Sequence, residues 1–60
     1  MSKLKNKRRS RCLNLRELGE LVGTSAQVVQ QQEQRGIRTV KTARRYANAL
    51  HCKPEELLEF

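Results

Sequence analysis

Gly23 constrains this chain more than any other residue. Before it, Leu15, Leu18 and Val22 recur at helical spacing, with Leu21 beside them; after it, Thr24-Ser25 opens a second helical segment. A glycine at that point ends a helix by adopting left-handed backbone, and Ser25 is a suitable cap for the next one, over about 26–34. Two helices are thereby joined by a three-residue turn, the sequence logic of a helix-turn-helix over residues 15–34. Gly19 lies where the second helix must cross the first, and a position without a side chain permits close approach. Leu18, Val22 and Val29 are expected to meet at the crossing.

The rest of the chain supports short helices around this unit. Aromatic residues are only Tyr46 and Phe60, proline occurs once, and straight-chain helix formers dominate, so the fold class is all-α. A first helix is expected over 4–12, with Leu4, the stem of Arg8 and Cys12 on a thin apolar face. Asn14 caps the second helix, with Glu17 completing a capping box. Gly36 breaks the chain again. Thr39 caps a fourth helix whose stripe is Val40, Ala43, Tyr46, Ala47 and Leu50, with Arg44 and Arg45 on the other face. His51-Cys52-Lys53 is a link, and Pro54, Glu55 and Glu56 suit the first turn of a final short helix with Leu57, Leu58 and Phe60 on its apolar side. The expectation is one domain over 1–60, a bundle of about five helices, with residues 1–3 outside the ordered part. At 60 residues the chain has no room for a large catalytic cleft.

The third helix is unusual. Val28 and Val29 are its only large apolar residues, while Gln27, Gln30, Gln31, Gln32 and Gln34 cover most of the remainder. A helix polar almost all round has its polar face committed to something or is unstable alone.

Charge is placed around that helix rather than spread evenly. The chain has 13 Lys plus Arg against 6 Asp plus Glu, a net +7. Lys3, Lys5, Lys7, Arg8, Arg9, Arg11 and Arg16 form one block, the tail lysines being either a solvated extension or an arm along a backbone. Arg35, Arg38, Lys41, Arg44 and Arg45 form another, and between the two lie only Glu17, Glu20 and Glu33. Such a balance points to a polyanion, most simply nucleic acid, with an acidic membrane surface as the weaker competitor. Cationic flanks can hold phosphates while uncharged amides read bases.

Other chemistries find little support. No apolar run is long enough to cross a membrane, and none follows the basic N-terminus as a secretory signal would require. Cys12 and Cys52 are too few for a disulfide scaffold and are expected to be reduced, small, buried or half-buried thiols. Cys12, His51 and Cys52 match no zinc spacing and lack a fourth ligand, so no metal is expected. There is no phosphate-binding glycine loop, and no cofactor or enzyme activity is expected.

The order of these motifs resembles the Cro and phage-repressor (lambda-repressor-like, XRE-type) helix-turn-helix domains, from about Leu4 to Leu58. The residues that carry the resemblance are NLRELG (14–19), Gly23, Thr24-Ser25, Val29, Glu33, TARRYANAL (42–50) and PEELL (54–58). Departures are Gln32 in place of a large apolar residue, Gly19 in place of the commoner Ala, a shortened loop after Glu33, no proline before Thr39, and His51 in place of a frequent glycine.

The resemblance implies a third helix in the DNA major groove. Its base-reading positions correspond to Ser25, Ala26, Gln27 and Gln31, where glutamine suits adenine and Ala26 a thymine methyl. Asn14 corresponds to a phosphate-contacting cap, with Gln30, Gln34, Arg35, Arg38 and Arg44 at phosphate or groove edge. Arg8 corresponds to a basic position that pairs with Glu33, linking the first and third helices. It further implies a bacterial or phage transcriptional regulator, a repressor by occupancy, bound as a homodimer to a near-palindromic double-stranded operator in the cytosol or nucleoid. No small-molecule ligand is expected. The competing readings are an antitoxin or protein-binding adaptor on the same fold and, more weakly, an RNA-binding protein, for which exposed stacking aromatics are lacking.

Overall fold

The computed structural model describes residues 2–59. They form four α-helices, α1 (Lys3–Ser10), α2 (Leu15–Val22), α3 (Ala26–Arg35) and α4 (Val40–Leu50), followed by one 3-10 turn, Pro54–Glu56. The expected fifth helix is therefore only a turn. It stops at Leu57 because that side chain drops into the core, fully buried, and the backbone beyond it turns extended. Phe60, assigned to the apolar side of that helix, lies outside the described residues.

Each α-helix starts on a side-chain oxygen. Ser2 accepts the Lys5 N–H, Asn14 that of Glu17, Ser25 that of Val28 and Thr39 that of Thr42. Such caps each contribute about 1 kcal/mol by satisfying a helix-end donor. Ser2 changes the expectation for the N-terminus: it is buried, and α1 begins at Lys3. Lys3, Lys5 and Lys7 are thus helical residues and not a tail. At its other end α1 stops at Ser10, short of the expected Cys12, because Cys12 takes left-handed backbone (φ 58°). Cys12 is consequently exposed and leaves the apolar face.

The corner at Gly23 follows from its left-handed backbone, φ 78°. Thr24 N–H donates back to the Gly19 carbonyl at 2.8 Å, closing the end of α2. Gly19 is buried under the turn, and a β-carbon built on it would stand 2.7 Å from the Thr24 carbonyl oxygen. Glycine here is a packing requirement of the corner.

The core is Leu4, Leu18, Val29, Ile37, Ala43, Tyr46, Ala47, Leu50 and Leu57, with Leu13, Leu15, Val22, Ala49, Cys52 and Leu58 packed against it. Leu18 and Val29 both enter this core, and Val22 packs against it. Val40 does not join the stripe. At the first position of α4 it remains 48% exposed.

Ile37 is a core residue that the sequence reading passed over. Gly36 (φ 80°, ψ 155°) adopts backbone open only to glycine and turns the chain so that Ile37 points inward. Ile37 forms an isolated parallel bridge with Leu58, and its carbonyl accepts the Glu59 N–H at 2.8 Å. Glu59 also accepts the Lys3 backbone N–H and packs on Gly36. The last described residues thereby clasp both the start of α1 and the loop after α3.

Candidate nucleic-acid interface

The interface begins with the division of α3 into two faces. At about 100° per residue, Val29 and Glu33 share one side, and both are buried. Gln27, Gln31 and Gln34 fall on the opposite side and Gln30 on its flank, and all four are exposed. Val28 and Val29, adjacent in sequence, separate completely: Val29 is fully buried and Val28 is 43% exposed.

Glu33 is buried because Arg8 meets it. Arg8 Nε donates to Glu33 Oε2 at 2.6 Å and Nη2 approaches Oε1 at 3.4 Å, while Nη1 donates to the Leu13 carbonyl at 2.8 Å. Each residue is only 8% exposed. The guanidinium fork thus ties α1, the turn after it and α3 into one body, with two-point geometry that fixes the rotation of α3 about its axis.

Gln32 has its own structural task. Half-buried, it donates through Nε2 to the Gly36 carbonyl at 2.9 Å, holding the loop at the end of α3. A half-buried polar side chain is accommodated here because its amide has a partner.

The expected base-reading residues occupy the first two turns of α3. Gln27 and Gln31 project from the exposed face with no intramolecular hydrogen-bond partner recorded among the described residues. Ser25 Oγ accepts the Val28 N–H at 3.2 Å, which leaves its own hydroxyl proton to donate outward. Ala26 is half-buried, one side against the bundle. Asn14 exchanges hydrogen bonds with Glu17, accepting at 2.7 Å and donating its backbone N–H at 2.9 Å, and retains its side-chain NH₂ at the exposed start of α2.

Cations stand on both sides of the amide face. Lys5 and Arg9 line a groove of about 570 Å³ between α1 and α3, shared with Gln30 and Gln34. Arg35 and Arg38 line a second depression with Gln34, Thr39 and Thr42. Arg44 is exposed on α4 but lines neither.

Other basic residues act within the fold. Arg45 Nη2 donates to the Val22 carbonyl at 2.9 Å, and Arg11 donates to the carbonyls of Leu50 and His51 at 2.8 and 3.2 Å. Both guanidinium groups therefore close helix C-termini, where unpaired carbonyls and the negative end of the dipole favour a cation. Lys7 pairs with Glu56 at 3.1 Å. The sequence signal for Arg11 and Arg45 is slight, because an arginine that caps a distant helix looks like any other surface arginine.

Titration behaviour reports local packing. The Lys53 backbone N–H and then the Lys7 ammonium hold the Glu56 carboxyl below its ordinary range. Burial pushes the Tyr46 phenol up, Arg45 pulling against it and Glu33 adding to it. Burial likewise raises the half-buried Cys52 thiol, with Glu56 contributing.

No described helix is long and apolar enough to cross a membrane. Comparison of the chain with family models, with curated proteins and with solved structures gives no match.

Proposed function

We propose that this protein binds double-stranded DNA sequence-specifically through α3 in the major groove, and that it is a small transcriptional regulator repressing by operator occupancy. The observation that carries this reading is the exposed amide face of α3, Gln27, Gln30, Gln31 and Gln34, set between cation-bearing grooves. Glutamine presents one donor and one acceptor at the spacing of adenine N7 and N6. Lysine and arginine at the margins supply phosphate contacts, which position a reader without informing it of sequence.

The lambda-repressor-like arrangement suggested by the motif order belongs to the same reading. Gln27 and Gln31 read base edges together with Ser25 and Ala26. Asn14, Gln30, Gln34, Arg35, Arg38 and Arg44 serve phosphates or the groove edge. The operating form is a homodimer on a near-palindromic operator, its half-sites about one helical turn apart. No cofactor or small ligand takes part, and the setting is a bacterial cytosol or nucleoid.

Selection of bound duplexes from a random DNA pool, followed by salt titration of the winner, tests this. A half-site repeated in inverted orientation, with affinity falling steeply with salt, is the expected outcome. A pool that yields no enriched sequence overturns the reading and leaves the protein-binding adaptor in its place.

A further inference from the structure

We propose that Val28 reads thymine, its isopropyl group packing on the C5-methyl that thymine presents in the major groove. This rests on the DNA-reading role of α3 and adds a residue that the motif order did not assign. Val28 is 43% exposed, although its neighbour Val29 takes the core position completely. Single apolar residues on a surface are ordinary, but this one lies among the amides. Gln27 precedes it directly, about 100° around the helix, and Gln31 stands three residues on, about 60° away. Arg35 lies seven residues on, nearly in line with it, at the edge of the depression that Arg38 shares. Val28 therefore sits at the edge of the amide face, on the side where Arg35 lies.

Its position along the helix matters equally. The Val28 N–H is the one capped by Ser25, so the residue belongs to the first turn, the part of such a helix that meets base edges. A β-branched residue has no propensity advantage at an exposed helix position, and helix α3 gives its side chain no core to fill. The major groove offers one apolar group, the thymine methyl, and a side chain without polar atoms can recognise nothing else there. Beside glutamines suited to adenine, the half-site should hold A·T pairs in succession.

The test replaces each thymine of the selected half-site singly by uracil, which removes the methyl and leaves every hydrogen bond unchanged. Wild-type protein is expected to lose about fourfold in affinity at one thymine, the value of one buried methyl-sized group. Val28→Ala is expected to bind the thymine and uracil duplexes equally and to match wild type on the uracil duplex. The side chain is exposed, so the variant is expected to fold as wild type does, and circular dichroism checks it. Flat uracil scanning of wild type overturns the proposal. So does uracil sensitivity that survives in Val28→Ala and disappears in Ala26→Gly. These failures differ from failure of the DNA reading itself, in which no half-site is selected and Gln27→Ala and Gln31→Ala change nothing.

Discussion

Arg8 Nε and Glu33 Oε2 stand 2.6 Å apart, joining the first helix to the buried side of α3 that also carries Val29. Both groups are nearly sealed from water, at 10% and 7% side-chain exposure. A pair of this kind is costly to break singly, because the survivor is a buried charge without a partner. Glu33→Ala is expected to lower unfolding stability by about 3–5 kcal/mol, a large share of what so small a domain possesses. Arg8→Met with Glu33→Leu should cost clearly less than the sum of the two single changes. Urea unfolding of the four-member cycle measures the coupling. Additive losses would mean that the two side chains do not act as a pair.

Two glycines at the corner should fail for different reasons. Gly19→Ala places a β-carbon 2.7 Å from the Thr24 carbonyl oxygen, so the corner must open. The expected cost is about 1–3 kcal/mol, typical of overpacking. Gly23→Ala meets nothing within 4 Å and suffers only from its φ of 78°, about 1–2 kcal/mol. Because the Gly19 change displaces the start of α3, it should also weaken DNA binding by more than its stability loss explains. Gly23→Ala should not. Thermal melts beside binding titrations at a temperature where both variants are folded separate the two.

His51 occupies left-handed backbone at the end of α4, φ 54°, where a glycine would be unstrained. Its carbonyl, which accepts from Arg11, is retained in any substitution. His51→Gly relieves strain of about 1–2 kcal/mol against an added chain entropy of about 0.4–1 kcal/mol. A small net gain in Tm is expected, and a drop would show that the imidazole contributes packing.

Amides and cations on the interface should give different signatures. Gln27→Ala and Gln31→Ala are each expected to reduce discrimination between the operator and a mismatched duplex by about 1–3 kcal/mol. Arg35→Ala and Arg38→Ala should weaken all duplexes alike and reduce the salt slope by about 1 each. Competition titrations at several salt concentrations read both quantities.

Glu56 is expected to shape part of the acid limb of stability. Its folded-state pKa is lowered, first by the Lys53 N–H and then by Lys7. A lowered carboxylate stabilises the fold above its unfolded pKa, about 4.3 for glutamate, and that contribution is lost as pH falls through the folded value. Glu56→Gln should therefore lower the urea midpoint above about pH 4.3 and converge with wild type as pH falls below it, giving a flatter acid limb. An unchanged acid limb would show that this contact is silent in solution.

Helices α2, α3 and α4 were legible because each announces its start locally. Asn14, Ser25 and Thr39 are side-chain acceptors ahead of apolar periodicity, and Gly23 ends a pattern abruptly, so these boundaries follow from short-range chemistry. The amide face of α3 was legible for the same reason. What lay beyond the sequence is the work of contacts distant along the chain. Ile37 is a single apolar residue in a basic loop, and only its pairing with Leu58 makes it core. Cys12 continues a helical pattern on paper, yet left-handed backbone ends α1 before it. The segment after Pro54 has helical composition, but burial of Leu57 and extended pairing of Leu58 stop it after one turn. Val40 fits the α4 stripe by spacing, while at the first position of the helix it stays exposed.

The helix ends closed from afar bear on how the chain folds. The Val22 carbonyl depends on an arginine 23 residues away, Glu33 on one 25 away and the Leu50 carbonyl on one 39 away. A peptide cut out as residues 14–36 would keep its caps and its corner but lose every one of these partners. It should be largely unstructured in water, as short isolated helices are. Helix α3 is thus expected to be no autonomous module but a cooperative part of the whole chain.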